Sequence, residues 1–296
     1  MKPRAAFSIV VLLSSLAAGA PACAADFVLY TQNLLRFGHG SRTANKCQAM
    51  ENASASVDII LIQELMVPAY PCTSVPAGFS FRGFGPLGTS SYKEYYGFLW
   101  RSTASTGHPV IAETSYSQQA SQSVFIRPPT AMFFKVTTTA GKVHYVWIGN
   151  MHSIFGKTVS GRQYEATQAG TFFQSLRGMT VGTQTPPTGG WATIVAGDWN
   201  LPITDSAGTT VNAGFTWLQA STVNAWGLPT NTVTSLTRAG AGSSPYDHML
   251  YNTLLTSGTG VTLSSVTLNP PNNTDWPNWR RDVSDHLGAG AEVTIQ

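Results

Sequence analysis

Eight stretches of the chain have the apolar density and alternation of β-strands: 27–33, 57–63, 96–101, 131–137, 143–151, 191–196, 246–251 and 291–295. In most of them apolar and polar residues alternate, as expected of a strand with one face buried. Ile59-Ile60-Leu61-Ile62 is continuous instead, which suits a strand covered on both faces. Helical spacing is confined to two stretches, 43–54 and 160–176. In the second, Tyr164, Phe172 and Leu176 fall on one apolar face and are expected in the core. Loops rich in Gly, Thr, Pro and Ser at 181–190 and 237–244 each precede a strand.

Strands therefore outnumber helices, with helices interleaved between them. This predicts an α/β fold in four layers: two mixed β-sheets packed face to face, with helices outside. No internal repeat or long linker divides the chain, so 26–296 is read as one catalytic domain. The first 25 residues read differently. Lys2 and Arg4 precede an apolar stretch from Phe7 to Ala20, and Ala22-Cys23-Ala24 is a small-residue cleavage site. That is the order of a secretory signal peptide, and it predicts a secreted, extracellular or periplasmic protein. No later stretch is apolar for long enough to cross a bilayer as a helix.

Export changes the charge argument. The net charge of +3 includes Lys2 and Arg4, so without them it falls to +1. Overall charge thus gives no reason to expect nucleic-acid binding, and any electrostatic attraction must be local. Export also changes the cysteines. Cys47 and Cys72 remain beyond the signal, and an oxidising compartment favours a disulfide between them over two separate buried thiols.

Charged residues make up only 10% of the chain, so a charge that ends an apolar strand needs a reason. Glu64 follows the 57–63 strand, and His152 follows 143–151. Asp198 and Asn200 follow 191–196 within Gly197-Asp198-Trp199-Asn200, and Asp285-His286 precedes the last strand. One such residue is usually a turn former or a helix cap. An ordered set of them, all at strand ends, marks a site.

With Thr31-Gln32-Asn33-Leu34, Ile62-Gln63-Glu64, Asn150-Met151-His152, Gly197-Asp198-Trp199-Asn200 and Ser284-Asp285-His286 in this order, the chain resembles the endonuclease/exonuclease/phosphatase superfamily. Residues 86–96 (PLGTSSYKEYY) and Phe98-Leu99-Trp100-Arg101 are similar to its deoxyribonuclease I branch, of which the catalytic subunit of cytolethal distending toxin is a cousin. The resemblance implies a metal-dependent endonuclease acting on double-stranded DNA with little sequence specificity; no stable protein partner is inferred. Its cofactor would be Mg²⁺, with Mn²⁺ or Ca²⁺ as alternatives. Glu64, Asp285 and Asn33 would surround the metal. Glu94 would hold His152 and Asp247 would hold His286, each acid favouring the imidazolium. Asp198 would orient or deprotonate the attacking water, and Asn200 would donate to a phosphoryl oxygen. Tyr92 and Arg127 would contact the DNA, and Arg36, Arg280 and Arg281 would add a basic rim.

The chain also departs from that branch. Leu35 stands where a groove arginine is expected, with Arg36 next; Met66 replaces another arginine, and His248 follows Asp247 in place of a third. The small disulfide loops are missing, so structural calcium sites are not carried over. Three other readings remain open. One is a sphingomyelinase-like lipid hydrolase, with Trp276, Pro277 and Trp279 as a membrane-touching loop. Another is a toxin-type nuclease subunit, and the last is a non-catalytic binding module.

Overall fold

Alternation along the central strands sends successive side chains into different cores. In the computed structural model, which describes residues 25–88, 93–156, 158–204, 210–219, 232–252 and 260–296, strand β1 (Phe27–Phe37) sends Phe27 and Leu29 one way and Val28 and Tyr30 the other. β2 (Ile59–Leu65) divides Ile59 and Leu61 from Ile60 and Ile62 in the same manner. The continuous apolar run is thus a strand buried on both faces. Residues 1–24, which hold nearly all of the expected signal segment, and Tyr92 lie outside the described residues.

Further strands are β3 (Phe79–Leu87), β4 (Glu94–Arg101), β5 (Val110–Gln119), β6 (Thr130–Thr137), β7 (Val143–His152), β8 (Ala192–Asp198), β9 (Asp247–Tyr251), β10 (Val261–Asn269) and β11 (Gly288–Ile295). One sheet has the order β10-β11-β1-β2-β4-β3 and the other β5-β6-β7-β8-β9. Both are mixed: β1 and β2 run parallel in the first, β7 and β8 in the second, among antiparallel neighbours. Three cores follow. Leu61, Phe98, Phe134, Ile148 and Ile194 fill the space between the sheets. Helix α1 (Thr43–Ser54) and helix α3 (Trp276–Asp282) cover the outer face of the first sheet through Met50, Ala53 and Trp279. Helix α2 (Val159–Arg177) covers the second sheet through Ala166, Ala169 and Phe173. The predicted four-layered sandwich is the observed fold.

All eight expected strands are present, and three more, β3, β5 and β10, were not expected. Helices α1 and α2 match the predicted stretches within a residue. Tyr164 is a correction: it is exposed, not part of the core. The buried face of α2 is instead made largely of small residues, because Trp217 packs where a side chain on Gly170 would stand.

A disulfide joins Cys47 on α1 to Cys72 in the loop after β2. It encloses a separation of 25 residues, and closing such a loop in the unfolded chain is worth about 3 kcal/mol. Replacing both cysteines with serine is expected to lower the unfolding free energy by about that amount in urea titration, with a rise in m-value as the unfolded chain expands.

Candidate active site

Strand register assembles the site. In the second sheet His152 lies beside Asp198, and Asp198 beside Asp247, at one end of three adjacent strands. Gly197 makes this approach feasible: its φ of +150° and its closeness to the Met151 carbonyl leave no room for a Cβ. In the first sheet Asn33 pairs with Gln63, one residue before Glu64, and the ladder then breaks on both sides of β2. Such irregularities re-aim side chains at strand ends. Four of the six non-glycine residues with positive φ among the described residues are here: Leu35, Arg36, Glu64 and Asn200. Strain of this kind collects at functional sites.

Asp198 is the hub. Its Oδ2 accepts from Asn33 Nδ2 at 3.1 Å and lies 3.4 Å from His286 Nε2 and 3.6 Å from His152 Nε2. Its Oδ1 accepts from the Asn200 backbone N–H at 2.8 Å. Each imidazole is held from behind by a buried carboxylate. His152 Nδ1 is 2.8 Å from Glu94 Oε1, and His286 Nδ1 is 2.8 Å from Asp247 Oδ2. Both acid–histidine pairs expected from the sequence thus meet across one aspartate.

The two imidazoles are not equivalent, which differs from the sequence expectation that both would be held as imidazolium. Complete burial and the Arg127 guanidinium push His152 down to about 4, outweighing Asp198 and Glu64. Burial alone would also lower His286, but Asp247 and Asp198 outweigh it and hold its pKa well above the ordinary value. Burial raises the Asp198 carboxyl despite the neighbouring histidines, and lifts Glu94 to about 7 against the pull of Arg127. Separated proton affinities of this sort give neighbouring groups distinct acid and base roles.

Around this core lies a buried supporting layer, part of which the sequence did not reveal; it takes in Arg127, which the resemblance placed at the DNA. Arg127 is turned inward: Nε donates to the His152 carbonyl at 3.2 Å, Nη2 to that of Ser153 at 2.5 Å, and Nη1 lies 3.7 Å from Glu94. Asn200 Nδ2 donates to the Ser153 carbonyl at 3.0 Å, which leaves one amide hydrogen over. Thr234 Oγ1 accepts from the Asp247 N–H, and Ser284 Oγ links the Asn33 carbonyl to the His286 N–H. Lys46, 2% exposed on α1, donates to the Leu35 carbonyl and so supports the strained turn. A lysine on a weakly amphipathic helix reads as solvated, and nothing local in the sequence marks it as buried. Trp279 is buried too and donates its indole N–H to the His286 carbonyl, so it braces the site rather than standing in a membrane-touching loop.

No family model matches the chain, and no curated protein matches it. Solved structures do. The humanized D. rerio TDP2 has a TM-score of 0.52 at 17% identity, over 90% of this chain and 98% of that one. The Xenopus laevis APE2 catalytic domain gives 0.58 at 13%, over 91% and 92%. An endonuclease/exonuclease/phosphatase from Beutenbergia cavernae gives 0.52 at 12%, over 91% and 71%. The chain has the endonuclease/exonuclease/phosphatase fold. At these identities the likeness concerns the fold, and the chemistry must be argued from the side chains.

On this endonuclease/exonuclease/phosphatase scaffold two groups offer ligands to a cation. Glu64 accepts from Asn33 Nδ2 at 3.2 Å and from the Arg36 N–H at 3.2 Å; Asp285 presents a buried Oδ1 with no hydrogen-bond partner. An orphaned carboxylate oxygen suits a hard divalent cation, and Glu64 and Asp285 both act electrostatically on Lys46. Asp198, Asp247 and His286 form the other group, with ligand atoms within 4.8 Å of one another. Asp247 and His286 already bond to each other, so this group is better built for proton handling.

The Asp247–His286 pair has a pH signature. Because His286 binds its proton more tightly in the folded state, the pair stabilises the fold fully below the unfolded imidazole value of ~6.5. That stability is lost as pH rises through the folded value. Asp247→Asn is expected to move the alkaline limb of kcat/KM to lower pH and to lose stability chiefly on the acid side, as read from pH–rate profiles and melting at several pH values.

Proposed function

We propose that the chain is an exported, divalent-metal-dependent phosphodiesterase that cuts the DNA backbone internally with little sequence preference. One observation carries this reading: two carboxylate-backed histidines, their proton affinities pushed in opposite directions, converge on Asp198. Phosphodiester hydrolysis needs a base for the attacking water, a donor for the departing oxygen and positive charge for the phosphoryl group. Each of the three has a candidate.

A cation such as Mg²⁺ or Mn²⁺ would be held by Glu64 and Asp285 with Asn33 beside them, and would neutralise charge on the phosphoryl group. Asp198 takes the proton of the attacking water, which its raised proton affinity favours. Neutral His152, with Nδ1 engaged by Glu94, presents its Nε2 lone pair towards Asp198 to carry that proton onward. The His286 imidazolium donates its Nε2 proton to the oxygen leaving phosphorus. The spare amide hydrogen of Asn200 bonds a non-bridging oxygen. Arg127 acts from behind, keeping His152 neutral and the 152–153 backbone in place.

DNA as substrate is supported by the resemblance over residues 86–101. Arg127 faces inward, so the basic rim falls to Arg36, Arg280 and Arg281. Export is supported by the signal-like first 25 residues and by the Cys47–Cys72 disulfide, a bond that persists in oxidising compartments. With purified protein and Mg²⁺, supercoiled plasmid is expected to be nicked, and EDTA to abolish nicking. His152→Ala and His286→Ala should each reduce the rate on the order of 10²–10⁴-fold. Choline release from sphingomyelin with plasmid left intact would refute DNA as substrate, and full activity in both histidine variants would refute the mechanism.

A further inference from the structure

Among the described residues six large hydrophobic side chains are exposed, and two of them are tied by the backbone to the His152 region: Ile126, beside Arg127, and Phe155, beside Ile154. Phe155 is 74% exposed, three residues after His152. A lone exposed apolar residue needs no explanation, but a group of them beside a polar site does.

These residues are held in place. Glu165, buried on α2, accepts the Ile126 N–H on Oε1 at 2.8 Å; on Oε2 it accepts the Ile154 N–H at 2.7 Å and the Ser153 hydroxyl at 2.8 Å. One carboxylate thus clips two loops to the helix, immediately beside Phe155 and Ile126, while Tyr164 precedes the clip on α2. The same loops carry reacting groups. Arg127 follows Ile126 and bonds the 152 and 153 carbonyls, and the Ser153 carbonyl also receives Asn200 Nδ2. The backbone up to Ile154, one residue before the exposed ring, is therefore tied to the phosphate-handling groups.

We propose that Phe155 is a stacking platform for a nucleobase of the nucleotide next to the scissile phosphate. The proposal rests on the phosphodiesterase reading above and adds how the substrate is gripped. Stacking on an aromatic face is tolerant of sequence, because every base has a π-face. A membrane seat would call for a broad apolar surface fringed by cations, whereas Arg127, the cation that follows Ile126, is turned inward onto Glu94.

The test uses the full protein with Mg²⁺ and a single-stranded oligonucleotide holding one cleavable phosphodiester, in a normal form and in a form abasic beside that bond. For wild type, the abasic form should raise KM on the order of 10-fold or more. Phe155→Ala should raise KM for the normal form on the order of 10- to 100-fold, the effect falling on KM rather than kcat, and Phe155→Trp should restore it. On the abasic form Phe155→Ala should add nothing, the non-additivity expected of two groups in contact. An unchanged KM, or an equal penalty on both substrates, overturns stacking while leaving the nuclease reading intact. Loss of binding to sphingomyelin-containing vesicles with unchanged oligonucleotide kinetics assigns Phe155 to lipid instead. A wild type that cleaves sphingomyelin and no oligonucleotide removes both readings.

Discussion

The ladder at the end of β7, β8 and β9 sets everything else in the site. Because His152, Asp198 and Asp247 are register partners on adjacent strands, their side chains leave the same face of the sheet at strand spacing. A slip of one residue in any of these strands would turn its member of the trio towards the opposite face. Interleaved apolar side chains from both sheets pin this register in the central core, and Gly197 lets β8 lie against the Met151 carbonyl at the point where the chemistry begins. His286 reaches the ladder from the other sheet, since its Nδ1 bonds Asp247 while its backbone carbonyl is held by Gln32 and Trp279. The site is thus a seam between the sheets, and its geometry is as rigid as their packing.

Electrostatics then differentiates what the geometry makes nearly symmetrical. Both histidines have a carboxylate at 2.8 Å on Nδ1 and Asp198 near Nε2. What separates them is Arg127. Burial opposes charge on both rings; the Arg127 guanidinium, lying against Glu94, adds to it at His152, whereas Asp247 and Asp198 overcome it at His286. In a chain with so few charges, placing one arginine behind one of two matched pairs is enough to divide the work of donor and acceptor.

Legibility from sequence follows burial. The central strands could be read because the Ile59–Ile62 run and the alternating stretches of β1, β4, β6 and β7 face packed neighbours. The strands not foreseen, β3, β5 and β10, are all sheet edges, where polar residues such as those of Ser115-Tyr116-Ser117 and Ser264-Ser265 are tolerated and the pattern fades. Tyr164 misled because the apolar spacing of α2 admits more than one phase; the true buried face holds Ala166, Ala169 and Gly170, whose value lies in their smallness. Site residues at strand ends could be read because charge is rare in this chain. The supporting layer could not be, since Lys46, Glu165 and Arg127 look like surface charges until the tertiary fold supplies the carbonyls and amides that bury them.

Helix α2 shows how an outer layer can govern a site it does not line. Its small face lies on the second sheet, and from its first turns Arg162 donates to the Asn200 carbonyl at 2.6 Å while Glu165 clips the 126 and 153–154 backbones. Asn200, with φ of +49°, is held in a strained conformation by that bond and by its own contacts to Asp198 and Ser153. A buried carboxylate and an arginine on an amphipathic helix are costly unless saturated with hydrogen bonds. Here the partners of Glu165 are the loops that carry His152 and Arg127, and half-buried Arg162 gives one N–H to the loop that carries Asn200. The desolvation cost of two helix charges is thereby converted into precision at three loop positions, which explains why a helix with so small a contact face should carry charges on its inner side at all.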